Sequence, residues 1–177
     1  MTEAAGLTRF NELNKPALLR ILMEVCQSPT WRNDIADHRP YADMRALLAS
    51  SDAFLKGVTD IEIVESVINH PRIGSKNAGP RSTLEQSRFA DTIDESTFEE
   101  FATLNQRYED KFGYLFLVAA EGRTADELLD ALQERLKNEP EVERKVMHGE
   151  LAKINRLRLQ KLVTEEILDT TFAPLSV

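Results

Sequence analysis

The chain has 177 residues, of which 42% are hydrophobic and 29% charged, and it carries a formal net charge of −8 at pH 7. A chain of this size buries one good core, so we predict a single domain over residues 1–177. The acidic balance argues against nucleic acid or an anionic membrane surface as a partner, and favours a basic partner or a small molecule.

The single cysteine and the N-terminal region bear on the cellular compartment. Cys26 has no second cysteine to pair with, so we interpret it as a buried free thiol. Charged residues recur through the first twenty-five positions, which argues against a secretory signal or a membrane-spanning helix there. We therefore expect a cytoplasmic protein.

Helix signals recur along almost the whole chain and predict an all-α helical bundle. A first helix is expected after the N-cap residue Asn14, because a proline at position 16 suits the first turn, and it is expected to end at Ser28-Pro29. Three more are expected: one ending at Arg39-Pro40, one from Met44 to about Ser50, and one from Asp60 until Pro71, which lacks the N–H a helix needs. The faces expected to be buried comprise Leu18, Leu19, Leu22, Met23 and Cys26, then Trp31, Ile35 and Ala36, then Met44, Leu47 and Leu48, and finally Ile61, Val64, Val67 and Ile68.

A further helix is predicted to end at Gly113, a residue type favoured at helix C-termini. One face carries Phe98, Phe101, Asn105, Tyr108 and Phe112. We interpret the asparagine in this stripe as a hydrogen-bonded core residue rather than a ligand contact.

The run over residues 114–120 is the one continuous apolar stretch of strand length, and we predict that it forms a buried extended segment. The sequence offers no obvious second strand to pair with it. Its buried backbone N–H and C=O groups nevertheless need partners. A polar ligand can supply them, or the segment is a plain buried connector.

The last predicted helix begins at Pro140 and carries an arginine on its apolar face. It follows a helix that Thr124 and Glu127 open as a capping box and that runs to Asn138. At 3.6 residues per turn, Arg158 falls among the apolar residues of the last helix, whereas Arg156 points to nearly the opposite side. A buried guanidinium needs a carboxylate, and the candidates are a structural ion pair and an anionic ligand.

His70 and Glu85 place an imidazole and a carboxylate within one loop of each other, the pairing that general acid/base chemistry needs. Each residue also has a structural interpretation. Ser82 and Glu85 have the spacing of a capping box, and a histidine at a helix end complements the helix dipole. With His38 and His148, the histidines show no metal-ligand spacing, so we predict no metal site. Together these features suggest a cofactor-free acid/base site for an anionic small molecule.

Several motifs in register resemble those of 2-oxo-4-hydroxy-4-carboxy-5-ureidoimidazoline (OHCU) decarboxylases. The resemblance extends from about Phe10 to Val163, which leaves 164–177 as a C-terminal tail. The motifs are Cys26-x-Ser28-x-x-Trp31, Arg39-Pro40-Tyr41, His70-Pro71-Arg72-Ile73-Gly74, Ser82-x-x-Glu85-Gln86, Leu104-Asn105-x-x-Tyr108-x-x-Lys111-Phe112-Gly113 and Ile154-x-x-Leu157-Arg158-Leu159.

The resemblance implies the last step of urate breakdown to (S)-allantoin, in an all-helical fold that is commonly a homodimer and uses no cofactor. It implies catalytic roles for His70, Glu85 and Arg158. The substrate-binding positions that it implies are Pro71, Ser82 and Gln86, with the backbone of Leu117, Val118, Ala119, Ala120 and Glu121. Two alternatives stay open: a non-catalytic helical ligand-binding homologue, and a decarboxylase of a related ureide.

Overall fold

The computed structural model describes residues 2–68, 70, 72 and 94–164. Within these ranges the chain forms eight α-helices and no strand, which confirms the all-α prediction. No helix among the eight combines the length and the apolar character that crossing a membrane requires. The helices are α1 (Glu3–Glu12), α2 (Lys15–Leu22), α3 (Pro29–Asp37), α4 (Met44–Gly57), α5 (Asp60–Ile68), α6 (Glu95–Phe112), α7 (Ala125–Arg135) and α8 (Pro140–Thr164).

The described residues group into two compact units. One contains the chain up to Ile63 together with the part of α8 from Ala152 onward, and the other contains Val64–Leu151. In the first unit α3 packs against α2 and α4, and in the second α6 packs against α7. The single domain over 1–177 stays a prediction.

Capping residues begin the helices of the first unit. The Asn14 side chain accepts a hydrogen bond from the Ala17 N–H at 3.0 Å, which confirms the predicted start of α2. Ser28 caps α3 in the same way, and its hydroxyl also donates to the Glu62 carboxylate, which accepts from the Thr30 N–H at 2.9 Å as well. The first turn of α3 is therefore fixed from two sides.

The predicted ends of two helices are wrong. Helix α2 stops at Leu22, where tight turns replace the helical ladder, and Met23 is 51% exposed rather than part of the buried face. Helix α4 continues to Gly57 instead of ending near Ser50. The reason is that Ser51 is small enough to be buried in the apolar stripe, which Leu55 then extends by another turn.

The buried face of α5 also differs from the prediction. Ile63 and Val67 are fully buried, whereas Ile61 is 74% and Ile68 60% exposed. Apolar residues lie all around this helix, so periodicity alone does not identify the side that packs. The prediction is therefore wrong for Ile61 and Ile68, which lie on the exposed side of the helix.

Gly6 marks a close approach between α1 and the end of α8. A methyl group added there would lie 1.7 Å from the carbonyl oxygen of Val163, which belongs to the helix backbone. We expect Gly6→Ala to lower the free energy of unfolding by about 1–3 kcal/mol, because the backbone must move to accept it. Gly149→Ala is the matched control: nothing lies within 4 Å of its added methyl, so a gain of up to about 1 kcal/mol is expected from helix propensity. Equal midpoints for the two variants in urea denaturation would contradict this packing.

In the second unit, the buried segment lies between the C-cap of α6 and the N-terminal capping box of α7. Helix α6 ends as predicted at Gly113, whose φ of 78° is the left-handed conformation that glycine adopts without strain. Helix α7 begins with the predicted capping box, in which the Glu127 carboxylate accepts from the Thr124 N–H at 2.8 Å. Between them, residues 115–120 form neither helix nor strand and are almost entirely buried, as predicted.

Candidate functional site

His70 lies two residues beyond α5 and is half-buried. Its Nδ1 lies 3.2 Å from the carbonyl oxygen of Ser66, one helical turn earlier. A carbonyl oxygen only accepts hydrogen bonds, so Nδ1 carries the hydrogen and Nε2 is the basic nitrogen of the neutral ring. The contact fits the structural interpretation of this histidine, and it also fixes the tautomer that a general base requires.

The chain after His70 is attached to α6 by an ion pair that the sequence analysis missed. The Arg72 guanidinium binds both carboxylate oxygens of Glu109, at 2.6 and 2.8 Å. This bidentate geometry fixes the Arg72 guanidinium on α6. The other residues predicted for this part of the site lie outside the described residues: Pro71, Ser82, Glu85 and Gln86.

Arg158 is buried on the apolar stripe of α8, as predicted, beside Leu151 and Leu162. Its Nη1 donates to the carbonyl oxygens of Glu24 and Val25, at 3.4 and 3.3 Å, just beyond the end of α2. The contrast with Arg156 is also confirmed, because that side chain is 43% exposed and pairs with Asp52 at 2.7 Å.

The surroundings of Arg158 contain two further polar groups. Cys26 is a buried free cysteine, as predicted, and burial raises the pKa of its thiol. Asn155, one turn earlier on α8 than Arg158, is fully buried, and neither polar atom of its side chain forms a hydrogen bond with the described residues. This asparagine was not among the predicted residues, although it falls on the same helical stripe as the arginine.

The backbone of the segment predicted to bind substrate is partly occupied by protein side chains. The Leu117 carbonyl accepts from Arg135 Nη1 at 2.7 Å, and the Ala119 N–H donates to the Glu150 carboxylate at 2.8 Å. The Ala120 carbonyl closes a turn by accepting from the Arg123 N–H at 3.1 Å. Side chains of α7 and α8 thus provide part of the hydrogen bonding that this buried backbone needs, and a ligand does not have to supply all of it.

Arg135 belongs to a buried polar network that the sequence analysis also missed. Its Nη2 lies 2.5 Å from the carboxylate of Glu143, which is completely buried. Glu143 also accepts from the hydroxyl of Tyr108 and, at 2.7 Å, from the amide of Asn138. Burial raises the pKa of Tyr108 well above its ordinary value, so this hydroxyl stays protonated. Arg135, Tyr108 and Asn138 thus all donate to Glu143, which restricts the motion of the Arg135 side chain.

The described residues contain no group of three or more histidine, cysteine, aspartate or glutamate side chains that could hold a metal ion. The first unit contains the buried Arg158, whose guanidinium can bind an anion. The second unit contains His70, which can act as a base, and the segment over residues 117–121, whose peptide groups can hydrogen-bond an amide.

Comparisons with known proteins give one consistent result. A family model for OHCU decarboxylase matches residues 11–160. The chain is 32% identical over 148 residues to the uric acid degradation bifunctional protein TTL of Arabidopsis thaliana, a match that covers 80% of this chain and 46% of that protein. It is 30% identical over 132 residues to the 2-oxo-4-hydroxy-4-carboxy-5-ureidoimidazoline decarboxylase of Amia calva, covering 71% of this chain and 75% of that protein.

The fold gives the same answer. A crystal structure of OHCU decarboxylase in the presence of (S)-allantoin superimposes with a TM-score of 0.73 at 30% identity, covering 80% of this chain and 96% of that one. The chain spans less than half the length of the bifunctional relatives that it matches. The family match includes most of this chain and confirms the resemblance carried by the motifs. The chain belongs to the OHCU decarboxylase family.

Proposed function

We propose that this chain is a cofactor-independent decarboxylase that converts OHCU to (S)-allantoin in urate degradation. The observation that carries the proposal is the family match over residues 11–160, which contains every residue of the predicted site. The names of the relatives point to the same pathway, and a solved relative was crystallised in the presence of (S)-allantoin. The buried cation and the half-buried imidazole are the residue types that this chemistry needs.

The substrate explains why side chains alone are sufficient. Its tetrahedral ring carbon bears a hydroxyl and a carboxylate next to a C=N bond. When the C–C bond to the carboxylate breaks, CO2 leaves and the electron pair moves into that C=N system, so the substrate is its own electron sink. The protein has only to align the breaking bond with the π system and to deliver one proton to one face of the ring.

The roles follow from the chemistry of each residue. In our proposal Arg158 binds a polar oxygen array of the anionic substrate, for which its planar fork is suited. His70 and Glu85 bracket the hydroxyl and the carboxylate, Glu85 positioning or deprotonating the hydroxyl and His70 orienting the leaving group or managing the proton. Pro71, Ser82 and Gln86 contact the substrate, and the peptide groups of residues 117–121 hydrogen-bond its ureido or ring amides.

Two further features belong to the proposal. We expect a homodimer, which sedimentation velocity at several protein concentrations will test. We also expect a cytoplasmic location.

The decisive experiment follows optical activity during the decay of freshly made OHCU. The substrate is generated from urate with the two preceding enzymes, and circular dichroism then reports the configuration of the allantoin. Because spontaneous decay gives racemic product, we expect the protein to accelerate the formation of (S)-allantoin. Racemic product at the uncatalysed rate would contradict the proposal. Tight binding of OHCU without turnover would favour the non-catalytic homologue, and turnover of another ureide alone would favour the decarboxylase of a related ureide.

A further inference from the structure

The nonhelical segment between α6 and α7 is held by two charged side chains that the proposed mechanism does not use. Arg135, near the end of α7, donates to the Leu117 carbonyl at 2.7 Å. Glu150, on α8, accepts from the Ala119 N–H at 2.8 Å. These two hydrogen bonds hold the backbone on either side of Val118.

Peptide planarity turns these two contacts into a constraint on Val118. In a trans peptide the N–H points opposite to the C=O of the same unit. The only cis peptide bond in the described part of the chain is Arg39–Pro40. Fixing the Leu117 carbonyl on Arg135 therefore directs the Val118 N–H away from Arg135, and fixing the Ala119 N–H on Glu150 directs the Val118 carbonyl away from Glu150.

Val118 lies between these two contacts, and among the described residues its backbone groups, like those of Leu115 and Phe116, form no hydrogen bond. Val118 is 5% exposed. Buried peptide groups are rarely left unpaired. One backbone donor and one backbone acceptor on the same residue match the C=O and N–H of an amide or ureido group.

We propose that Arg135 and Glu150 are positioning residues. By holding the neighbouring peptide groups, they orient the N–H and the C=O of Val118 toward the amide groups of the substrate. This inference rests on the proposed function. Arg135 is itself held by the fully buried Glu143, which also accepts from Tyr108 and Asn138, so the carbonyl of Leu117 is tied to a buried network. Neither charged side chain touches the reacting atoms in this account; both act through the backbone.

The test compares Glu150→Ala with Glu150→Gln, because glutamine keeps an oxygen that can accept from the Ala119 N–H. We expect Glu150→Ala to lower kcat/KM for OHCU by roughly 10- to 100-fold, as a misplaced binding group does. Glu150→Gln should recover most of that loss. Glu141→Ala, an exposed carboxylate on the first turn of α8, is the control and should keep the parental kcat/KM.

A second measurement separates this inference from the proposed function. In the folded parent protein, the backbone amide resonance of Val118 should shift on titration with (S)-allantoin, and in Glu150→Ala the shift should require far more ligand. An inactive parent protein would contradict the proposed function, and the amide titration would still test the positioning. The inference is overturned if Glu150→Ala is folded and keeps kcat/KM within twofold of an active parent. It is equally overturned if the Val118 amide does not respond to (S)-allantoin, or if Glu150→Gln is as impaired as Glu150→Ala.

Discussion

His70→Gln is expected to lower kcat for OHCU decarboxylation by about 10²–10⁴-fold while the protein stays folded, because a positioned acid or base typically contributes that much. The contact between Nδ1 and the Ser66 carbonyl leaves Nε2 as the basic nitrogen. Glutamine can imitate a hydrogen bond of the ring, but it cannot take up and release a proton near neutral pH. Single-turnover rates with freshly made OHCU, measured beside thermal unfolding, will give the effect.

The chain contains a matched control for this substitution. His38 also ends a helix, and its Nδ1 lies 2.8 Å from the carbonyl oxygen of Asp34, again one turn earlier. Its ring packs against Phe54 with a centroid distance of 4.6 Å. His38→Gln should therefore have the same local structural cost with no effect on kcat. Equal losses of activity in the two variants would mean that His70 only terminates its helix.

The features that the sequence predicted correctly depend on neighbours within a few residues. The caps at Asn14 and Thr124 and the left-handed Gly113 are decided by contacts inside one turn of chain. The burial of Arg158 is decided by the period of one helix, which also separates it from the exposed Arg156. Local patterns of this kind carry most of the all-α architecture.

The features that it missed depend on packing between elements. Glu143 binds Tyr108 from 35 positions away, and Glu150 binds the Ala119 backbone from 31. No periodicity or short motif links such pairs, so the hydrogen bonds from Arg135 and Glu150 to the buried segment could not be predicted from the sequence. The predicted ends of α2 and α4 are wrong for the same reason: Met23 is exposed and Ser51 is buried, and the local pattern of apolar residues indicates neither.

Arg158→Gln is expected to lower kcat/KM by roughly 30- to 5,000-fold, which corresponds to about 2–5 kcal/mol for truncating one partner of a buried charge pair. The guanidinium is buried, and the Glu24 and Val25 carbonyls orient one of its nitrogens. Arg158→Lys should recover only part of the loss, because a lysine keeps the charge without the bidentate fork. Initial rates over a range of OHCU concentrations will separate kcat from KM.

Arg156→Gln controls for the loss of a positive charge two positions away on the same helix. That side chain is 43% exposed and pairs with Asp52, so removing it should cost at most about 1 kcal/mol of stability and leave kcat/KM unchanged. A structural role for Arg158 predicts a different pattern: a lower unfolding midpoint with the parental kcat/KM in the folded fraction. Because a bound anion stabilises only the state that binds it, the parent protein should also gain thermal stability from the substrate-like anion oxonate, and Arg158→Gln should lose that gain while Arg156→Gln keeps it.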